Sequence, residues 1–233
     1  MSKVMMNSLA LVGISVLVSA CGGGGMSTPI VTLQNAESTQ QITMISADFS
    51  NSSVIASSST IAQLNRLGAI ELTYGAILSD GKVIGIETLS SDVPTSGTAT
   101  YNGTAVAVIN DGSYFYDLVG TATATVALAS QSGALDVTLG SFSGEQTSVL
   151  NGATASGSFP NISIIWENAN ICGGSRFCNG LIDVQGTATN LSQEAKYDAA
   201  AVLFGPLGEE IGGLIDVVDL GNLEATAGFI VGK

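Results

Sequence analysis

Thr121-Ala-Thr-Ala-Thr-Val-Ala-Leu128 and Leu135-Asp-Val-Thr-Leu139 are the stretches whose reading decides the fold. In the first, Ala122, Ala124, Val126 and Leu128 share one face, and Thr121, Thr123 and Thr125 share the other. In the second, Leu135, Val137 and Leu139 oppose Asp136 and Thr138. A repeat of two belongs to a β-strand with one buried and one polar face. The pattern continues outward. Ile162, Ile164 and Trp166 oppose Asn161 and Ser163, while Ile211, Gly213, Ile215 and Val217 oppose Gly212 and Asp216. A last run sets Ala225, Ala227, Phe229 and Val231 against Thr226 and Gly228. Asp111-Gly112, Asn151-Gly152 and Asn179-Gly180 punctuate these runs as turn pairs. Asn102-Gly103 falls inside a continuous run and reads as a turn or a bulge.

Counting runs between turns gives about eight strands after Gly97. No run has the apolar spacing of a helix of four turns, so parallel folds built on strand–helix–strand units are excluded. The predicted class is all-β, an antiparallel eight-stranded barrel over residues 96–233, with its narrow interior filled by Ala, Val, Leu and Gly. A membrane-spanning barrel would need outward apolar faces and aromatic girdles. Here the second faces are Thr, Asp and Asn, and the aromatics are one Trp, five Tyr and seven Phe.

Val93-Pro-Thr-Ser-Gly97 breaks the pattern and marks where the barrel begins. Residues 30–95 form a smaller region whose clearest element is a β-hairpin, 69–78 joined to 82–89 through Ser79-Asp80-Gly81. Residues 60–67 read as one or two helical turns ended by Gly68. Residues 21–29, with four consecutive glycines from Gly22, read as a flexible tether.

Ahead of the tether, Lys3 and an apolar run over 9–18 suit a secretory signal peptide, residues 1–20. The run ends in Val18-Ser19-Ala20-Cys21, which resembles the bacterial lipoprotein signal. That resemblance implies that Cys21 receives diacylglycerol, becomes the new N-terminus and carries fatty acyl groups such as palmitate. It also implies lipoprotein-processing machinery and a surface-export apparatus as partners. Gly22 stands where an Asp would retain such a protein at the inner membrane, so the expected address is the outer membrane or cell surface.

Composition removes several functions. Six Lys+Arg against 19 Asp+Glu give a net charge of −13, which cannot form a phosphate-binding face, so nucleic acid is not a partner. Removing residues 1–20 takes away Lys3 and no acid, leaving −14. The chain has no histidine, hence no Ser-His-Asp or Cys-His machinery and no imidazole metal site. The expectation is a non-enzyme with no cofactor. With Cys21 lipidated, Cys172 and Cys178 remain, separated by Gly-Gly-Ser-Arg-Phe. In an oxidising compartment they are expected to form a disulfide whose small ring contributes roughly 2–2.5 kcal/mol by loop entropy. A metal reading would need further soft ligands, which the histidine-free chain does not offer.

Two stretches carry a second resemblance. Pro94-Thr-Ser-Gly-Thr-Ala-Thr-Tyr101-Asn-Gly103-Thr-Ala105 resembles the opening barrel strand of transferrin-binding-protein-B-like lipoproteins. The run from Ala200 through Phe204-Gly205-Pro206 and Glu209-Glu210 to Gly212-Gly213 is similar to that barrel's strand–turn–strand signature. Gly228-Phe-Ile-Val-Gly-Lys233 fits its closing strand, and Leu118-Val-Gly-Thr-Ala-Thr-Ala124 matches more weakly. The resemblance implies an eight-stranded barrel on an outer-membrane lipoprotein that binds a protein or small solute, in relatives an iron- or haem-acquisition ligand. A structural envelope lipoprotein without a solute ligand is the alternative.

No capping loops of transferrin binders are recognisable, so no ligand-binding residues carry over. Haem binding would rest on tyrosine, with Tyr74, Tyr101, Tyr114, Tyr116 and Tyr197 present. Tyr114-Phe115-Tyr116 puts two phenols on one face and is the best patch for a partner. Glu209 and Glu210 diverge as neighbours on a strand, so they do not flank a substrate and read as a solvated pair after the turn.

Overall fold

The computed structural model describes residues 30–32, 40–45, 51–56, 70–77, 83–129, 132–188, 195–219 and 223–233. Among them there are sixteen strands and no helix. The expected helical turns at 60–67, the tether, the signal segment and Cys21 lie outside the described residues. Six strands form an N-terminal sheet: β1 (Ile30–Thr32), β2 (Gln40–Ile45), β3 (Asn51–Ala56), β4 (Ile70–Glu71), β5 (Gly75–Ile77) and β6 (Val83–Ile86). Their order is β1-β3-β2-β6-β5-β4. Strands β5 and β6 are antiparallel, as the arms of the expected hairpin should be, but its first arm is split, since β4 folds back on β5. The 79–81 connection lies outside the described residues.

The second sheet contains β7 (Ser96–Asn110), β8 (Tyr114–Ala129), β9 (Ser132–Ser148), β10 (Thr154–Phe159), β11 (Ser163–Gly173), β12 (Arg176–Cys178), β13 (Leu181–Gln185), β14 (Lys196–Phe204), β15 (Glu210–Asp219) and β16 (Leu223–Gly232). Eight of them close a ring, β7-β8-β9-β11-β12-β14-β15-β16, in which β16 returns to pair with β7. The all-β, eight-stranded antiparallel barrel read from the sequence is therefore the observed fold. Two strands stand outside the ring order because two walls are jogged. Residues 134–139 of β9 pair with β11, and residues 142–147 pair with β10. Thus β10 and β11 are successive segments of one neighbour, interrupted at Pro160-Asn161.

Asn179-Gly180 behaves similarly and does not reverse the chain. Both residues have positive φ, 61° and 93°, yet β12 and β13 lie on the same side of β11. The kink brings the Asn179 carbonyl to the Trp166 indole N–H, which donates to it. Asn102-Gly103 is neither turn nor bulge, because the β7–β8 register runs through it unbroken, with Gly103 opposite Ala122. Glycine is required there for close packing: a β-carbon would collide with the Ile230 carbonyl on the closing strand.

Inward positions are those the alternation assigns. Leu135, Val137, Leu139, Trp166, Phe229 and Val231 are all buried in one cluster, with Phe142, Phe177 and Leu118 filling the space between them. The interior is a packed core, not a channel. Near the β14–β15 turn the outward side chains of β14–β16 are apolar as well. Val202, Phe204, Leu214 and Ile230 point away from the interior and are covered by Ile77 and Val83 of the N-terminal sheet. The sheet is seated on the outer wall of the barrel, at the end where β14 turns into β15.

Candidate binding surface

The β14–β15 turn that carried the family resemblance is this seat. Phe204 is fully buried, and three glycines make room for its ring. A β-carbon at Gly85 would lie 2.6 Å from the ring, at Gly75 2.7 Å and at Gly212 2.6 Å. Gly205 takes φ +76° beneath the Tyr74 ring. Gly213 faces inward instead, where a β-carbon would meet the Phe229 ring at 2.6 Å. Pro206 sits in the turn itself, exposed.

The reading of Glu209 and Glu210 as a solvated pair is corrected at Glu210. Its side chain is buried, and its carboxylate accepts the backbone N–H groups of Thr73 (2.7 Å), Tyr74 (2.8 Å) and Gly75 (2.8 Å). Burial pushes the carboxyl above its usual range, against the downward pull of the three donors. Glu209 is exposed, and its hydrogen bond and charge hold the Tyr74 phenol above its usual range. The two carboxylates diverge as neighbouring positions should, but one fastens the sheet to the barrel.

Cys172 and Cys178 lie on the β11–β12 hairpin as separate thiols. The Cys172 thiol is pushed up to about 12, chiefly by burial and then by Cys178 beside it. Next to them Arg176 forks onto Glu87, Nε to Oε1 and Nη2 to Oε2 at 3.0 Å each, and the Ser175 hydroxyl donates to the same carboxylate at 2.7 Å. Cys172, Arg176 and Glu87 line a shallow cleft of about 430 Å³ with Ser90 and Gly173. Among the described residues no three His, Cys, Asp or Glu side chains cluster as metal ligands would.

The opposite end of the barrel presents a different surface. Asp111, in the β7–β8 turn, is buried and fully engaged. Its Oδ1 accepts from the amides of Ser113 (2.9 Å) and Tyr114 (2.8 Å), and its Oδ2 from the Tyr116 hydroxyl (3.1 Å) and the Ala188 amide (2.9 Å). Asp111 thus holds the turn in shape and ties it to the segment following β13. The β9–β10 turn leans on the same knot, since Val149 N–H donates to the Ser113 carbonyl at 2.9 Å. On this braced platform four apolar residues face solvent. Tyr114 is 37% exposed, Phe115 48%, Val149 49% and Leu150 93%. A leucine left that open in a hydrogen-bonded turn contributes nothing to the core.

The structure separates the two phenols proposed for a ligand. Tyr114 and Tyr116 do share a face, with ring centroids 6.1 Å apart. Tyr116, however, is 6% exposed, its ring packs edge-on against Phe159, and its hydroxyl is taken by Asp111. It is a strut, and Tyr114 at the rim is the accessible member. Tyr101 is likewise buried at the other end and donates to the Gly208 carbonyl at 2.7 Å beneath the Lys233 ammonium. Tyr197 lies 43% exposed on β14. Sequence reasoning passed over Val149 and Leu150; their signal was two apolar residues placed directly before a turn pair.

Burial pushes the Tyr101 and Tyr116 phenols up to about 12, with Asp111 adding to the shift at Tyr116. The unfolded phenol ionises near 10. Each ring's contribution is therefore fully present below pH 10 and lost as pH rises toward 12, about 2 kcal/mol per ring. Alkaline titration should unfold the barrel in this window, with tyrosinate absorbance and loss of strand circular dichroism rising together. Complete ionisation of all tyrosines in a still-folded chain would contradict these burials.

Comparison with known proteins places the chain only by shape. No family model matches it, and no curated protein does. Solved structures do. A double mutant of transferrin-binding protein B from Haemophilus parasuis matches at 17% identity and TM-score 0.45, covering 84% of this chain and 38% of its own. Transferrin-binding protein B from Neisseria meningitidis matches at 15% identity and TM-score 0.43, covering 84% of this chain and 43% of its own. The chain thus spans about two fifths of those structures. The N-lobe domain of lactoferrin-binding protein B from Moraxella bovis, at 12% identity and TM-score 0.35, is covered over 90% of its length and 83% of this chain.

Proposed function

We propose that this chain is an outer-membrane lipoprotein, anchored through Cys21, that works as a binding module for a protein ligand. The observation that supports this most directly is the braced apolar rim of Tyr114, Phe115, Val149 and Leu150. Interfaces draw most of their energy from a few aromatic and aliphatic anchors held rigidly in place. Asp111 and the Val149–Ser113 bond supply that rigidity here. The solved structures similar in shape are named for binding transferrin and lactoferrin, which makes an iron-acquisition ligand the first class to test. The reading also includes a surface location, processing and export by the lipoprotein machinery, and a Cys172–Cys178 disulfide formed after export.

The test uses the mature chain offered to haem, host iron-carrier proteins and envelope extract, with each captured component identified and then titrated singly. The combined Leu150→Asp and Tyr114→Ser variant should weaken capture roughly tenfold or more. It should lower the melting temperature only slightly, because Leu150 is almost fully exposed and Tyr114 meets Tyr116 at the rim of the core. Protease applied to intact cells should remove the protein. A ligand bound equally well by the rim variant, or no ligand from any of the three sources, overturns the binding-module reading. Survival on intact cells overturns surface display.

A further inference from the structure

Strand β10 runs Thr154-Ala-Ser-Gly-Ser-Phe159 directly after the Val149-Leu150 turn. It pairs with β9 on one side, Thr154 opposite Thr147 through Phe159 opposite Phe142. Among the described residues no strand pairs with its other side. Residues 154–158 are all exposed, Gly157 included, so the backbone itself meets solvent. An unpaired strand edge is a row of free N–H and C=O groups, which soluble proteins usually blunt with charge, proline or cover. β10 has no charged residue and no proline.

The orientation of its groups follows from the ladder. Ser148 N–H donates to the Ala153 carbonyl at 2.9 Å, and bonded pairs alternate along antiparallel strands. Ala155 and Gly157 therefore point their backbone groups at β9, while Thr154, Ser156 and Ser158 point theirs outward. The neighbouring strands set the charge. Asp117, Glu145 and Ser156 lie side by side across β8, β9 and β10, and both carboxylates are exposed. The described cations stand elsewhere, Arg176 on β12, Lys196 on β14 and Lys233 after β16.

We propose that β10 is a docking edge for an extended, Lys- or Arg-bearing strand of a partner polypeptide, which pairs with the outward groups of Thr154, Ser156 and Ser158. Main-chain bonds would supply the attachment, and a long basic side chain in the row of Ser156 would extend over Ser156 toward Glu145, with Asp117 adding to the field from one strand farther. A second copy of this chain fits poorly, because β10 against β10 would bring two further carboxylates to the same row. The inference rests on the binding-module reading and adds to it the mode of contact, since the edge begins where the apolar rim ends.

The test is titration of the mature chain with a short labelled peptide of alternating lysine and valine. Ser156→Pro removes one outward N–H and no bond to β9, and should weaken binding roughly tenfold. Ser156→Ala should bind as the parent does. Joint Asp117→Asn and Glu145→Gln should weaken binding several-fold, with the loss shrinking as salt is added. Peptide methylated on alternate backbone nitrogens should not bind. Amide exchange at Thr154, Ser156 and Ser158 should slow in the complex, a readout that stands even if the proline variant folds badly. Unchanged exchange at these amides, equal binding of a glutamate–valine peptide, or self-association of the chain abolished by Ser156→Pro overturns the proposal. Rim variants leave this peptide assay untouched, so loss of the edge and loss of the rim reading are told apart.

Discussion

Phe204→Ala is expected to cost about 4 kcal/mol, near the upper part of the range for deleting a buried aromatic ring. The reason lies in what surrounds the ring. Gly75, Gly85 and Gly212 are packed against it, and glycines have no side chains to relax into the space a smaller residue leaves. Ile77, Val83, Val202, Leu214 and Ile230 would lose their shared partner at once. The loss should fall on the seat of the N-terminal sheet before it reaches the barrel. Urea unfolding followed by the Trp166 emission should remain cooperative at lower stability, while limited proteolysis should begin cutting ahead of Ser96. Phe204→Leu, which keeps most of the volume, should lose less than half as much. A cost below about 1 kcal/mol for the alanine variant would show that the seat does not depend on this ring.

Glu210→Ala should be nearly as damaging, about 3 kcal/mol, although it removes no apolar surface of consequence. Three backbone donors, from Thr73, Tyr74 and Gly75, would lose their acceptor together. Two of the bonds are only partly buried, so water replaces some of the loss. Glu210→Gln tests the account more sharply. The amide keeps one acceptor oxygen, but its NH₂ must face donors, so about half of the loss should remain. Thermal melts of both variants, with exchange rates at the Tyr74 and Gly75 amides, check the ordering Glu above Gln above Ala. Equal stability of parent and Gln would mean that the carboxylate is not the fastening group.

The barrel was legible in the sequence because its interior is packed with apolar side chains against a polar exterior on most strands. Residues 121–128 and 135–139 alternate cleanly since Ala122 to Val126 and Leu135 to Leu139 face the same core. The seat was not legible. Val202, Leu214 and Ile230 blur the alternation on β14–β16, because their outer face is covered by another sheet. Glu210 reads like any acid after a turn, since its partners lie 135 to 137 positions away in the chain. The two phenols at 114 and 116 were correctly placed on one face. Which of them is accessible depends on Asp111 and Phe159, contacts that periodicity does not encode. Leu150 was missed for the opposite reason: alternation looks for apolar residues that are buried, and this one is useful by being open.

The pairing of β7 with β16 governs when the molecule can exist. Residues 102–110 pair with β8 on one side, and on the other they find their partners in residues 224–232. A chain made from its N-terminus must therefore hold everything ahead of Leu223 in waiting, with both margins of the nascent wall bare, until the closing strand emerges. Non-local closure of this kind is slow and leaves sticky intermediates. On the proposed reading of an exported lipoprotein, delay is an advantage, because a wall that cannot shut cannot jam a passage across a membrane.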